Sequence, residues 1–129
     1  MTTEFEKRGV QNPKIIDLIR LDKSDDAVVL HMIEPRPWLK TKGHFLEIED
    51  KFNSYLAYVL DGFLAKHYPQ YAAKMVRFVF ECAACPSRDE EPFITAMKSY
   101  ALSHNIDFEL KVLTDEEREN LATEFESKP

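Results

Sequence analysis

The spacing of apolar residues switches along this chain between short alternations and intervals of three and four, and those switches divide it into elements. Ile15 to Leu21 and Ala27 to Glu34 are two β-rich runs. Between them lies Asp22-Lys23-Ser24-Asp25-Asp26, whose short polar side chains favour turns by bonding nearby backbone, so the pair predicts a β-hairpin. Apolar residues at Ile15, Ile16, Leu18, Ile19 and Leu21 predict that at least one strand is covered on both faces. Pro35 and Pro37 remove donors and fix φ, which makes 34–43 a connecting loop. From His44 to about His67, Phe45, Ile48, Phe52, Tyr55, Leu56, Val59, Leu60 and Phe63 recur at helical intervals, with Glu47, Glu49, Asp50, Lys51 and Asp61 on the other face. The acidic residues Glu47, Glu49 and Asp50 suit the N-terminal end of this helix, Gly62 marks a fraying turn or a close contact, and Tyr68-Pro69 supplies a stop.

Met75 to Cys82 reads as a third strand with Val76, Phe78, Phe80 and Cys82 facing the core. A second helix follows from about Glu90 to Ser103, with Pro92 in its first turn and Asn105 as its C-terminal cap. Ile106, Phe108, Leu110 and Val112 then alternate with Asp107, Glu109 and Lys111, the clearest period-two pattern in the chain. Thr114 and Glu117 have capping-box spacing and open a short acidic helix. The order ββαβαβα predicts an α+β fold: two layers, a mixed four-stranded sheet, helices mainly on one face. The other face is left to water or to a second subunit. The expected organisation is a flexible arm over 1–13, a single α/β domain over 14–113, and a short acidic helix over 114–129.

Composition narrows the partners more than the fold. With 129 residues, 44% of them hydrophobic and 31% charged, the chain has the balance of a globular protein that folds without covalent staples. A formal charge of −6 argues against nucleic acid, since gripping phosphates depends on Lys and Arg. No apolar run is long enough to span a bilayer, and the start of the chain lacks the basic and apolar regions of a secretory signal, so a cytoplasmic location is expected with no membrane partner.

The one basic concentration is the loop from Arg36 through Trp38, Lys40 and Lys42 to His44, built around the only tryptophan. Cations beside an aromatic suit phosphates, single-stranded nucleic acid or an acidic partner, which makes these five residues the candidate binding set. Ordinary packing explains the same loop if Trp38 plugs one end of the core while the lysines are solvated. Cys82-Ala83-Ala84-Cys85 has the spacing of a redox pair at a strand end, where a helix N-terminus lowers a thiol pKa. The alternation nevertheless points Cys82 into the core, and the following helix starts several residues after Cys85. His31, Glu34 and Glu81 supply acid/base residue types, but a strand histidine on a wet face accounts for His31 equally well. The four histidines lack paired metal-ligand spacing, and there is no glycine-rich phosphate loop, no nucleophile elbow, and no carboxylate-plus-lysine nuclease pattern around Asp17, Glu47, Asp50 and Glu81. No cofactor, metal or catalytic residue is assigned.

The runs Asn12-Pro13-Lys14-Ile15-Ile16-Asp17-Leu18-Ile19 and Val28-Val29-Leu30-His31-Met32-Ile33-Glu34, followed by Pro37-Trp38, resemble a group of small bacterial proteins known only as a domain of unknown function. Lys51-Phe52-Asn53-Ser54-Tyr55-Leu56, Asp61-Gly62 and Tyr68-Pro69 add to the likeness, which covers roughly 12 to 112. The resemblance implies a compact stand-alone α/β domain and carries no activity. The sequence therefore points away from an enzyme and toward a non-catalytic binding or protein-interaction domain, with itself as a homodimer or another protein as partner. A thiol-disulfide protein using Cys82 and Cys85 is the alternative. Tyr55, Tyr58, Tyr68 and Tyr71 or the open sheet face are the candidate dimer surfaces.

Overall fold

The computed structural model describes residues 16–117 and 119. Strand β1 (Leu18–Asp22) turns into β2 (Ala27–Glu34); α1 (Lys42–Leu60), α2 (Phe63–His67) and a 3-10 turn at Pro69–Tyr71 lead to β3 (Met75–Cys82), and α3 (Glu91–Ser103) leads to β4 (Ile106–Val112). β1 and β2 are antiparallel, while β2 with β3 and β3 with β4 are parallel, in the spatial order β1-β2-β3-β4. This is the α+β architecture with a mixed four-stranded sheet that the alternating periods predict.

Register assigns the two faces. Val28, Leu30 and Met32 stand beside Val76, Phe78 and Phe80, and these beside Ile106 and Phe108, all buried on the side that carries the helices. α1 contributes Ile48, Phe52, Tyr55 and Leu56 to that core, and α3 contributes Ile94, Met97 and Ala101. Phe52 meets Phe78 and Phe108 edge-on, with centroids 6.0 and 5.9 Å apart, so the α1 stripe spans two strands.

The helix ends differ from the sequence reading in instructive ways. Thr41 caps α1 by accepting the His44 amide at 3.1 Å, so the helix begins at Lys42 and Glu47, Glu49 and Asp50 fall beyond its first turn. The long helix is also not continuous to His67. Gly62 takes φ +89°, a conformation that L side chains rarely adopt, and divides α1 from α2. Asn105, at φ +62°, closes α3 as expected of a C-terminal cap. At the C-terminal side, Thr114 and Glu117 exchange reciprocal hydrogen bonds of 2.8 and 3.1 Å, forming the capping box. The rest of that final helix and the 1–13 arm lie outside the described residues.

β1 begins at Leu18 rather than Ile15, a residue outside those described. At Asp17 the ladder changes character, because the Asp17 carboxylate itself accepts the Ile33 amide at 2.9 Å. The sheet face away from the helices is not simply wet. Val29, Ile33 and Val79 are buried there, and Arg77 of β3 reaches Asp22 of β1 on one side and Asp107 of β4 on the other, crossing over β2. No helix among the described residues is long and apolar enough to cross a membrane.

Candidate functional site

β2 ends with Glu34 on the helix side of the sheet, buried, and the loop after it folds back onto that carboxylate. Arg36 forks onto Glu34 through Nε at 3.0 Å and Nη2 at 2.7 Å, and Nη2 also reaches Glu47 at 2.8 Å. These carboxylates push the guanidinium pKa further up. His44 Nε2 lies 2.6 Å from Glu34 Oε1, while its Nδ1 receives the Leu39 amide at 3.1 Å. A backbone amide only donates, so Nδ1 carries no proton and Nε2–H donates to Glu34. Trp38 donates to the Ala84 carbonyl at 3.0 Å and packs against His44, Phe45 and Phe80.

Lys40, held at φ +57°, bonds Ser87 Oγ at 3.0 Å and Glu90 Oε2 at 3.1 Å. Ser87, through its amide and hydroxyl, and then Lys40 lower the Glu90 carboxyl to about 2. Thus Arg36, Trp38, Lys40 and His44 come together, each with a partner within the fold although Lys40 is itself exposed, and Lys42 stands exposed at the start of α1.

Two further polar clusters flank β2. Lys51, on α1, is 0% exposed and bonds Asp17 Oδ1 at 2.9 Å. Tyr55, one turn on, accepts the Asp17 amide at 2.9 Å and donates to the His31 carbonyl. Burial lowers the Lys51 pKa against the opposing pull of Asp17, and burial raises that of Tyr55. Spacing predicts Lys51 on the polar helix face; it lies instead in the apolar stripe between Ile48 and Tyr55.

On the opposite sheet face His31 is buried rather than wet. Its Nε2 accepts from Arg20 at 3.0 Å and its Nδ1–H donates to Glu81 at 3.0 Å, with Lys111 between Glu81 and Glu117 at 3.9 and 2.9 Å. Among the described residues no buried side-chain nitrogen or oxygen lacks a partner, and no group of three His, Cys, Asp or Glu stands ready for a metal ion. Both strand and loop histidines therefore spend both ring nitrogens internally.

The cysteines keep C-x-x-C spacing without forming a pair. Cys82 is buried on the core face of β3, Cys85 is exposed beyond the strand end, and both are free. Burial, and then the nearby Glu34, push the Cys82 thiol up, opposite to what a redox nucleophile needs.

Among the described residues the sheet has two unpaired edges, β1 and β4, and β4 is the longer, seven residues against five. Leu113 N–H donates to Cys82 O, so the odd-numbered amides of this strand face β3 and those of Phe108, Leu110 and Val112 face outward. Among the described residues no strand pairs with that edge. Leu110 and Val112 point to the helix side, yet are 40% and 39% exposed because α3 leaves this end of the strand uncovered. Beside them is a recess of about 320 Å³ lined by Cys85, Pro86, Glu91, Ile94, Thr95, Leu110 and Val112. A second groove, about 300 Å³, separates Phe52 of α1 from Phe93, Met97 and Tyr100 of α3.

Fold and site together define a small α+β protein whose polar clusters are internally closed and whose sheet, among the described residues, ends in two unpaired edges, β1 and β4. The chain belongs to the family of unknown function DUF6572, whose sequence model matches residues 8–114. No curated protein and no solved structure matches the chain.

The sequence pattern does not announce the Asp17–Lys51–Tyr55 cluster, although a lysine at helical spacing from Ile48 and Tyr55 is a signal of it. The open edge left a fainter trace. It is the apolar–charged alternation of 106–112 itself, which does not say which side of the strand lacks a neighbour.

Proposed function

We propose that this protein is a non-catalytic protein-interaction domain that receives its partner along the outer edge of β4. The observation that carries the reading is the outward row of strand amides flanked by Leu110, Val112 and the adjoining recess. An unpaired edge strand is a template for an added strand: main-chain hydrogen bonds supply affinity, and pockets for alternate side chains supply selectivity. The closed state of the other candidates supports the same choice. Arg36, Lys40 and His44 of the cationic loop already face Glu34, Glu47 and Glu90, so bringing an anion there means displacing a carboxylate.

Displayed libraries of short extended peptides, panned against the purified chain, test the reading. Enriched peptides are expected to alternate apolar and polar residues and to lose binding in Leu110→Asp and Val112→Asp. Enrichment of peptides indifferent to both substitutions would overturn it.

A further inference from the structure

Resting on that reading, we infer that the partner at the β4 edge is a second copy of this chain, paired antiparallel about a two-fold axis at Leu110. This register alone sets opposite charges face to face without a like pair beside them. Outward amides must meet outward amides, which leaves registers centred on Phe108, Glu109, Leu110 or Lys111. Centring on Phe108 sets Asp107 against Glu109 of the second copy. A Glu109 centre sets Asp107 opposite Lys111 twice but opposes two glutamates at the axis itself, and a Lys111 centre opposes two lysines. Only Leu110 at the axis places Glu109 directly opposite Lys111 of the second copy, twice by symmetry, with no like charges facing.

The apolar face agrees with the charged one. In this register Leu110 meets Leu110 of the second copy and Phe108 meets Val112, on the side where Leu110 and Val112 lie exposed beside Ile94 and Thr95. The recess next to Leu110 is thereby covered, and the charges that discourage other edge pairings select this one. β1, the other edge of the sheet, is a poorer candidate: it is five residues long against seven and ends beside the hairpin turn.

The test is a charge exchange read by light scattering and sedimentation, with circular dichroism as the folding control. Wild type at high micromolar concentration is expected at twice the 15.1 kDa chain mass. Glu109→Lys alone and Lys111→Glu alone set like charges opposite each other twice, and their dissociation constants are expected to rise about tenfold or more. An equimolar mixture of the two variants restores both attractions and is expected to dimerise like wild type. Leu110→Asp removes no internal ion pair, and serves where Lys111→Glu weakens the fold through Glu117. It is expected to be a folded monomer.

A monomeric wild type, single variants that dimerise as wild type does, or a mixture that stays monomeric would each overturn the inference. If wild type is monomeric while displayed peptides still bind in a Leu110-dependent way, the second copy is excluded and the edge remains the interaction site. If those peptides are also indifferent to Leu110, both readings fall.

Discussion

Glu34 Oε1 lies 2.6 Å from Nε2 of His44, and because the Leu39 amide occupies Nδ1 the proton between them belongs to the imidazole. The pair is thus a fixed donor and acceptor tying the end of β2 to the first turn of α1, with Arg36 covering the rest of the carboxylate. The expected state of His44 is the neutral Nε2–H tautomer, distinguishable by ring ¹⁵N shifts. His31, bonded the other way round, is expected as Nδ1–H. Matching tautomers in the two rings would contradict the bonding described.

Lys51→Met is expected to destabilise the protein by about 3–5 kcal/mol in urea unfolding, since it removes the cation facing a buried carboxylate. Asp17→Asn with Lys51→Met keeps an acceptor for the Ile33 amide while removing both charges, and is expected to cost clearly less than the sum of the single changes. Strict additivity would mean that the two groups do not act as a pair. Because burial lowers the Lys51 pKa, the unfolded chain holds more protons than the fold between that lowered value and 10.5, so this group makes stability rise with pH across that window.

Glu90 has the opposite chemistry and the familiar carboxylate sign. Its folded value of about 2 lies below the ordinary 4.5. Its contribution is fully present above 4.5 and is lost as pH falls toward 2. The difference in urea midpoint between wild type and Glu90→Gln is therefore expected to be constant near neutrality and to close between those two values. A difference independent of pH would show that the carboxylate charge contributes nothing at this position.

Thiol labelling separates the cysteines. Native protein is expected to yield one accessible thiol, abolished by Cys85→Ser and unaffected by Cys82→Ser, with the second appearing only on unfolding. Rapid labelling of both, or a reversible Cys82–Cys85 disulfide in the native state, would restore the redox alternative.

Much of the fold was legible because periodicity reports burial directly. β3 and β4 occupy the residues their alternation marks out, β2 the residues of its β-rich run, and Asn105 and Thr114 act as the caps their side chains suit. What the sequence concealed were places where one polar residue sits within an apolar stripe. Lys51 reads as solvent-facing until Asp17, far away in sequence, is seen to neutralise it. His31 reads as wet until Arg20 and Glu81 close over it from neighbouring strands. Long-range pairing decides such cases, and a single chain of letters does not contain it. The cationic loop illustrates the same point, since its carboxylate partners come from β2, α1 and the start of α3.

The central claim is that the outer edge of β4, which no strand among the described residues pairs with, is available to a partner, and amide hydrogen exchange in dilute solution tests it residue by residue. The amides of Asp107, Glu109 and Lys111, which face β3, are expected to be protected, and those of Phe108, Leu110 and Val112 to exchange near their unstructured rates. Protection of Phe108, Leu110 and Val112 in the dilute monomer would mean that the chain covers this edge itself, and would contradict the account.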